Sequence, residues 1–238
     1  CAGAGINRVW FTGGEPFLAL YFFCAISKEA VRRGMFFSRV MTNGSWFGAK
    51  KGLTSALNRL LRAGYDGDLC LSVDGFHRQD LQKCASFVRA ATGIWRRSDI
   101  VSIAAVKGLR EDHTHKRLTK LARILHARLI ESNSKSTAIK NKDIFIKIFY
   151  IDLSPVGKAA GLKNGWDGAW FKDDLCKGPG NVFLVLPDGT VKPCCGYAID
   201  TDILTIGSIK RDSPKKLLSN ARKNRFINSI FASGFHPI

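Results

Sequence analysis

A chain of 238 residues can bury a substantial core, as one large domain or as one domain with an appendage. Its 45% hydrophobic and 24% charged residues are ordinary for a soluble globular protein. The charge balance is not ordinary: 37 Lys and Arg against 19 Asp and Glu leave a net charge of +18, which fits either a solvated basic surface or an acidic partner, nucleic acid or peptide. Seven cysteines, an odd number without a secretory signal, argue against a disulfide framework and for a reducing cytoplasm in which thiols stay free or ligate metal. The longest apolar run, Phe17 to Ile26, is too short to span a bilayer and reads as a buried helix, so no membrane partner is expected. The chain starts at Cys1, and its first residues read as the tail of a helix entering a strand, so a fragment of a longer protein is expected.

Strand-length apolar stretches alternate with longer amphipathic ones. Strands are expected at Arg8–Thr12, Phe36–Thr42, Asp68–Val73, Ile100–Val106 and Ile144–Asp152. Helices are expected between them at Phe17–Gly34, Gly48–Gly64, Gln79–Gly93 and Arg110–Ser132. That rhythm suits strand, crossover helix and parallel strand, hence an α/β sheet or barrel. After Asp152 the rhythm breaks, and residues 153–181 read as a long Gly-rich loop or linker. "NVFLVLPDGTVKPCC" then supplies two short strands around a turn, and a basic helix from Ser213 to Ala232 follows. The expected division is a domain of residues 1–160 and a small module of residues 161–238.

Every expected strand end carries small or polar residues: Gly13-Gly14-Glu15, Thr42-Asn43-Gly44, Ser72-Val73-Asp74-Gly75, Lys107-Gly108 and Pro155-Val156-Gly157-Lys158. In parallel β/α architectures such ends gather on one face, where ligands bind. Glycines at 13 and 14 let a ligand lie against the backbone, and Glu15 offers an acceptor suited to an ammonium group. Pro16 suits the first turn of a helix. His77 follows the third strand end and is a candidate for the cavity mouth. His113 and His115 diverge on a helix and read as solvated surface.

"FTGGEP", "VMTNG", "LSVDGFH" and "PVGKA", in this order and spacing, resemble the radical S-adenosylmethionine (radical SAM) superfamily over most of residues 5 to 160. The resemblance implies a partial (β/α)6 TIM-like barrel, here lacking its first strand, that binds a 4Fe–4S cluster and S-adenosylmethionine. It implies that Gly13, Gly14 and Glu15 hold the cofactor's amino group. Ser72 and Asp74 would approach its ribose and carboxylate, and residues 155–159 would border the adenine. Asn43 is carried over as a further cofactor-binding or structural residue. The family's C-x3-C-x2-C triplet is absent from the chain, and Cys1, Cys24, Cys70 and Cys84 are expected to pack rather than ligate. The triplet is expected upstream of Cys1.

Cys176, Gly189 and Cys194 fall in a C-x12-G-x4-C spacing that resembles SPASM and twitch modules, a β-hairpin plus helix carrying an auxiliary iron–sulfur cluster. Cys176, Cys194 and Cys195 are the candidate metal ligands, with buried thiols or a structural zinc as alternatives. The resemblance implies an oxidoreductase that generates a 5′-deoxyadenosyl radical, draws on an electron donor, and abstracts hydrogen from a peptide or protein substrate; an acidic one is compatible with the basic surface. The fragment alone is expected to be inactive. A basic nucleic-acid-binding or nucleic-acid-modifying protein and a non-catalytic relative are the alternatives.

Overall fold

Leu53, Ala56, Leu57 and Leu60 recur at helical spacing and all are buried, which places one face of the helix Lys50–Arg62 in the core and turns its charged face outward. The same logic orders Leu81, Cys84, Ala85, Val88 and Trp95 on Leu81–Trp95, and Leu118, Leu121 and Ala122 on Thr114–Ile124. Each fully buried leucine contributes roughly 2 kcal/mol through removal of its side chain from water. The computed structural model describes residues 3, 5–77, 79–107, 113–131, 137–152, 161, 182–193 and 201–233.

The chain divides into two compact units, one ending at Leu153 and one beginning at Ser154. In the first, strands β1 (Arg8–Phe11), β2 (Phe36–Thr42), β3 (Asp68–Ser72), β4 (Val101–Lys107), β5 (Arg128–Glu131), β6 (Thr137–Lys140) and β7 (Phe145–Asp152) form one sheet. Its order is β1-β2-β3-β4-β7-β6-β5. The first five strands of that order run parallel, and β6 and β5 complete the sheet antiparallel. Helices α1 (Leu20–Arg32), α2 (Lys50–Arg62), α3 (Leu81–Trp95) and α4 (Thr114–Ile124) make the crossovers. Phe17, Phe23, Tyr65 and Phe87 fill the space between helices and sheet together with Leu69, Leu71 and Ile103. The parallel arrangement carries the carboxyl ends of β1, β2, β3, β4 and β7 to one edge of the sheet. The α/β architecture read from the sequence is therefore the one observed.

Two expectations for this unit need correction. The helix expected over Arg110–Ser132 stops at Ile124, His126 turns the chain with φ +53°, and Arg128–Glu131 is strand β5. Leu121, Leu125 and Leu129 repeat at a spacing of four, which mimics a continuing helix and hides the turn. The expected buried helix from Phe17 opens as a short 3-10 turn, Pro16–Ala19, and α1 leaves Tyr21 82% exposed and Phe22 62% exposed within its unit. Only Phe23, Cys24, Ser27 and Ala30 of α1 are buried, so its apolar run is two-faced.

In the second unit, β8 (Leu184–Val185), β9 (Thr190–Lys192) and β10 (Gly207–Ser208) form an antiparallel sheet in the order β10-β9-β8. The "PDGT" turn forms as its residues require. Gly189 takes φ +89°, and the Asp188 carboxylate accepts from the Thr190 amide at 2.8 Å and hydroxyl at 2.8 Å. Val191, Leu204, Ile206, Leu217, Ala221 and Ile227 make a separate small core. The single basic helix expected at the end is two, α5 (Pro214–Lys223) and α6 (Arg225–Ser233). Asn224 between them has extended backbone, donates to the Ile203 carbonyl at 2.9 Å and accepts from the Ile227 amide at 3.1 Å. Asn224→Ala removes both bonds and should cost about 1 kcal/mol, as loss of a helix cap does. Denaturant melts monitored by circular dichroism check this, and an unchanged midpoint would contradict the role given to Asn224.

Candidate functional site

At the end of β1 the chain enters the left-handed region twice, with Gly13 at φ +80° and Gly14 at φ +40°. A side chain at either would meet nothing within 4 Å, so these glycines are set by backbone conformation and leave the turn bare to an incoming group. Glu15 follows at once. Its Oε1 accepts from the Phe17 amide at 3.2 Å and caps the Pro16–Ala19 turn. The Thr42 hydroxyl donates to Oε1 at 2.9 Å and to Oε2 at 3.0 Å, and the Asn43 amide donates to Oε2 at 2.8 Å. Burial pushes the Glu15 carboxyl above its ordinary value, and these donors pull against the rise.

A carboxylate offers about four acceptor positions, and these three donors leave one. Glu15 therefore ties β1 to the end of β2 and still has an acceptor to give. The β2 end is fixed in turn: the Asn43 side chain accepts from the Ser45 amide at 2.8 Å, and Gly44, at φ +63°, lies against Leu71 too closely for any Cβ. Phe17 stacks on Trp46 with ring centroids 4.7 Å apart and planes 7° apart, which clamps the two loops together.

Asp74, two residues past β3, is fully buried. Its Oδ1 accepts from the Phe76 amide at 2.9 Å, the His77 amide at 2.8 Å and the His77 Nδ1 at 2.9 Å. Its Oδ2 lies 2.8 Å from His77 Nδ1 and 3.4 Å from the Val106 amide at the end of β4. These donor groups make the carboxylate hold the loop and the imidazole. Burial works to raise the Asp74 carboxyl, but the His77 side-chain and backbone bonds outweigh it and hold it below its ordinary value. The same bond raises His77, against its partial burial.

Thr114 links the loop to β4 by accepting from the Gly75 amide at 2.9 Å and donating to the Val106 carbonyl at 3.2 Å. Gln79 donates through Nε2 to the Ser72 carbonyl, and Arg117 donates to the Gln79 carbonyl at 2.7 Å. Ser72 and Cys70 stand on the sheet face opposite Leu69, Leu71 and Val73, which enter the core. Thr114 and Gln79 have no motif of their own, and Thr42 sits in "VMTNG" without an assigned role; only their contacts reveal what they do.

Cys24, Cys70 and Cys84 are free and buried, and among the described residues no group of His, Cys, Asp and Glu is placed to hold a metal. Burial pushes the Cys70 and Cys84 thiols up to about 11, far from the thiolate form that iron needs. His115 is exposed and faces Glu131 at 3.4 Å.

Residues 176–234 match the profile of SPASM, an iron–sulfur cluster-binding domain. That segment is similar to SPASM domains. No curated protein matches the chain. Two solved structures share the fold: anSMEcpe with bound AdoMet and Kp18Cys peptide, and anSMEcpe with bound AdoMet. Each has a TM-score of 0.53 and 16% identity over 97% of this chain, covering 74% of the first and 70% of the second. At that identity the likeness is one of fold. Together with the module it bears out the resemblance to the radical SAM superfamily that the strand-end motifs gave.

The matched segment contains the hairpin of β8 and β9 and the small core around α5. The candidate ligands Cys176, Cys194 and Cys195 lie outside the described residues, as do Cys1, Gly108 and the 155–159 segment. Among the described residues no helix is long and apolar enough to cross a membrane.

The Asp74–His77 pair makes stability depend on pH. The lowered Asp74 contributes above its ordinary 3.8 and is lost as pH falls through its bound value. The raised His77 contributes in full below its ordinary 6.5 and is lost as pH rises through its bound value. Because the His77 side chain is 55% exposed, removing it should cost only about 1 kcal/mol at mildly acidic pH. Thermal melts of His77→Ala and parent should differ there and draw together as pH rises through the bound value of His77. A difference independent of pH would contradict the pair.

Proposed function

We propose that this chain is a radical SAM protein that binds S-adenosylmethionine at the carboxyl edge of its sheet, holds an auxiliary 4Fe–4S cluster in its SPASM module, and acts on a peptide or protein. The observation that carries this reading is Glu15: a half-buried carboxylate with one acceptor position left, set beside two bare glycines at a strand end. The shared fold with structures whose names give bound AdoMet and a bound peptide supports it.

The residues fit the cofactor as follows. Gly13 and Gly14 leave room for its methionine part to approach the main chain, and Glu15 receives its ammonium group. Thr42 and Asn43 position Glu15 rather than touch the cofactor. Ser72 faces away from the core at the neighbouring strand end. Asp74 holds the β3 loop and His77. Cys176, Cys194 and Cys195 are the thiols for the auxiliary cluster. The chemistry supplied by S-adenosylmethionine and a reduced cluster, when bound, is hydrogen abstraction by a 5′-deoxyadenosyl radical. An outside electron donor and a cytoplasmic setting belong to the same reading. The C-x3-C-x2-C triplet for a radical-generating cluster is not among these 238 residues, so the chain by itself is expected to bind the cofactor without cleaving it.

Isothermal titration with S-adenosylmethionine tests the site. Glu15→Ala should weaken binding by about tenfold or more, the worth of one hydrogen bond to a charged group, while circular dichroism stays native. Unchanged affinity would remove Glu15 from the site. Anaerobic reconstitution with iron and sulfide tests the module. Cys176→Ala and Cys194→Ala should lose bound iron, and Cys70→Ala should keep it. Iron retained in the first two variants, or lost in the third, would contradict the assignment.

A further inference from the structure

The start of α3 and one side of α4 enclose a cleft of about 500 Å³. Gln79, Leu81, Lys116, Arg117, Lys120 and Ile124 give it its character, three cations over an apolar floor. Its lining holds three cations and one acid, Asp80. Helix α4 carries Lys116, Arg117, Lys120 and Arg123 with no acid, and α3 carries Lys83 and Arg89 with no acid. The acid at the rim, Asp80, caps α3 through bonds from the Gln82 amide at 2.8 Å and the Lys83 amide at 3.3 Å. Arg117 is held in place by the Gln79 carbonyl, and its buried Nε has no acceptor among the described residues.

We propose that this cleft docks an acidic segment of the peptide substrate. The proposal rests on the reading of a peptide substrate and adds where that peptide is recognised. A carboxylate-bearing peptide suits three cations, while its apolar side chains suit Leu81 and Ile124. Single-stranded nucleic acid suits the cleft less well, since no aromatic ring lines it for a base to stack on. The net charge of +18 draws acidic peptide toward the surface, and the cleft gives it a place to stop. The cleft is also bonded to the candidate site: Arg117 holds Gln79, and Gln79 holds the Ser72 carbonyl at the end of β3. A segment bound there is anchored next to the loop that follows β3.

Fluorescence anisotropy with a short fluorescein-labelled Glu/Asp-rich peptide containing leucines tests this on the whole chain. The parent should bind it, with affinity that falls as salt rises. Lys116→Glu with Lys120→Glu should weaken binding by about tenfold, the sum of two lost and reversed exposed charge contacts. The milder Lys116→Gln with Lys120→Gln should give a smaller loss in a chain less perturbed. Lys50→Glu with Lys51→Glu, an equal charge change at exposed positions of α2, should stay within about twofold. No binding at low salt, an equal loss in both Glu pairs, or no loss in either cleft pair overturns the proposal. So does an oligouridylate that displaces the peptide at lower concentration. The titration needs no cofactor. Failure here therefore counts against the cleft alone, and failure of S-adenosylmethionine to bind counts against the carboxyl edge alone.

Discussion

Glu15 accepts hydrogen bonds from the Phe17 amide, the Thr42 hydroxyl and the Asn43 amide, and so joins the ends of two neighbouring parallel strands through one side chain. The constraint behind it is the buried parallel sheet, which brings strand ends to one edge and leaves their backbone donors to be satisfied locally. Glycines at 13 and 14 turn the chain so that the carboxylate faces back toward β2. The Phe17–Trp46 stack and the close fit of Gly44 on Leu71 then keep both loops in place. The turn is rigid where it meets the protein and bare where it meets solvent.

The two carboxylates at this edge show how donor number sorts residues of the same type into different jobs. Glu15 has three donors and a raised carboxyl, the pattern of an acid that gains from a further cation. Asp74 meets donors from Phe76, His77 and Val106 and has a lowered carboxyl, the pattern of an acid whose charge is already answered. Both sit in motifs that point to cofactor contact, and they differ in how many donors already meet them. Asp74 works through His77, whose exposed imidazole it orients.

Much of this was legible in the sequence, because parallel strands with covered faces are written as short apolar runs. The range of β2 is the one expected, and β1, β3, β4 and β7 start or end within a residue or so of theirs. The glycine turn after β1 and the Asp-Gly hairpin were legible for the same kind of reason: only certain residues adopt those backbone angles. What could not be read were features decided by contacts. Leu121, Leu125 and Leu129 kept a helical beat across a turn, so β5 and β6 were hidden. Asn224 splits the last helix by bonding to Ile203, far away in sequence. Asp74's bonding depends on Val106 and His77, which no spacing rule connects. Composition gave the positive charge, but not that α3 and α4 turn it onto one cleft.

The central claim is that one acceptor position on Glu15 is kept for the amino group of an adenosyl amino acid. It is tested most directly by a thermodynamic cycle of two ligands and two proteins: S-adenosylmethionine and its analogue lacking the amino group, each titrated into the parent and into Glu15→Gln. Loss of the amino group should cost the parent about tenfold in affinity and cost Glu15→Gln almost nothing, a coupling of about 1.4 kcal/mol. Equal binding of both ligands by the parent, or the same loss in both proteins, would contradict the account.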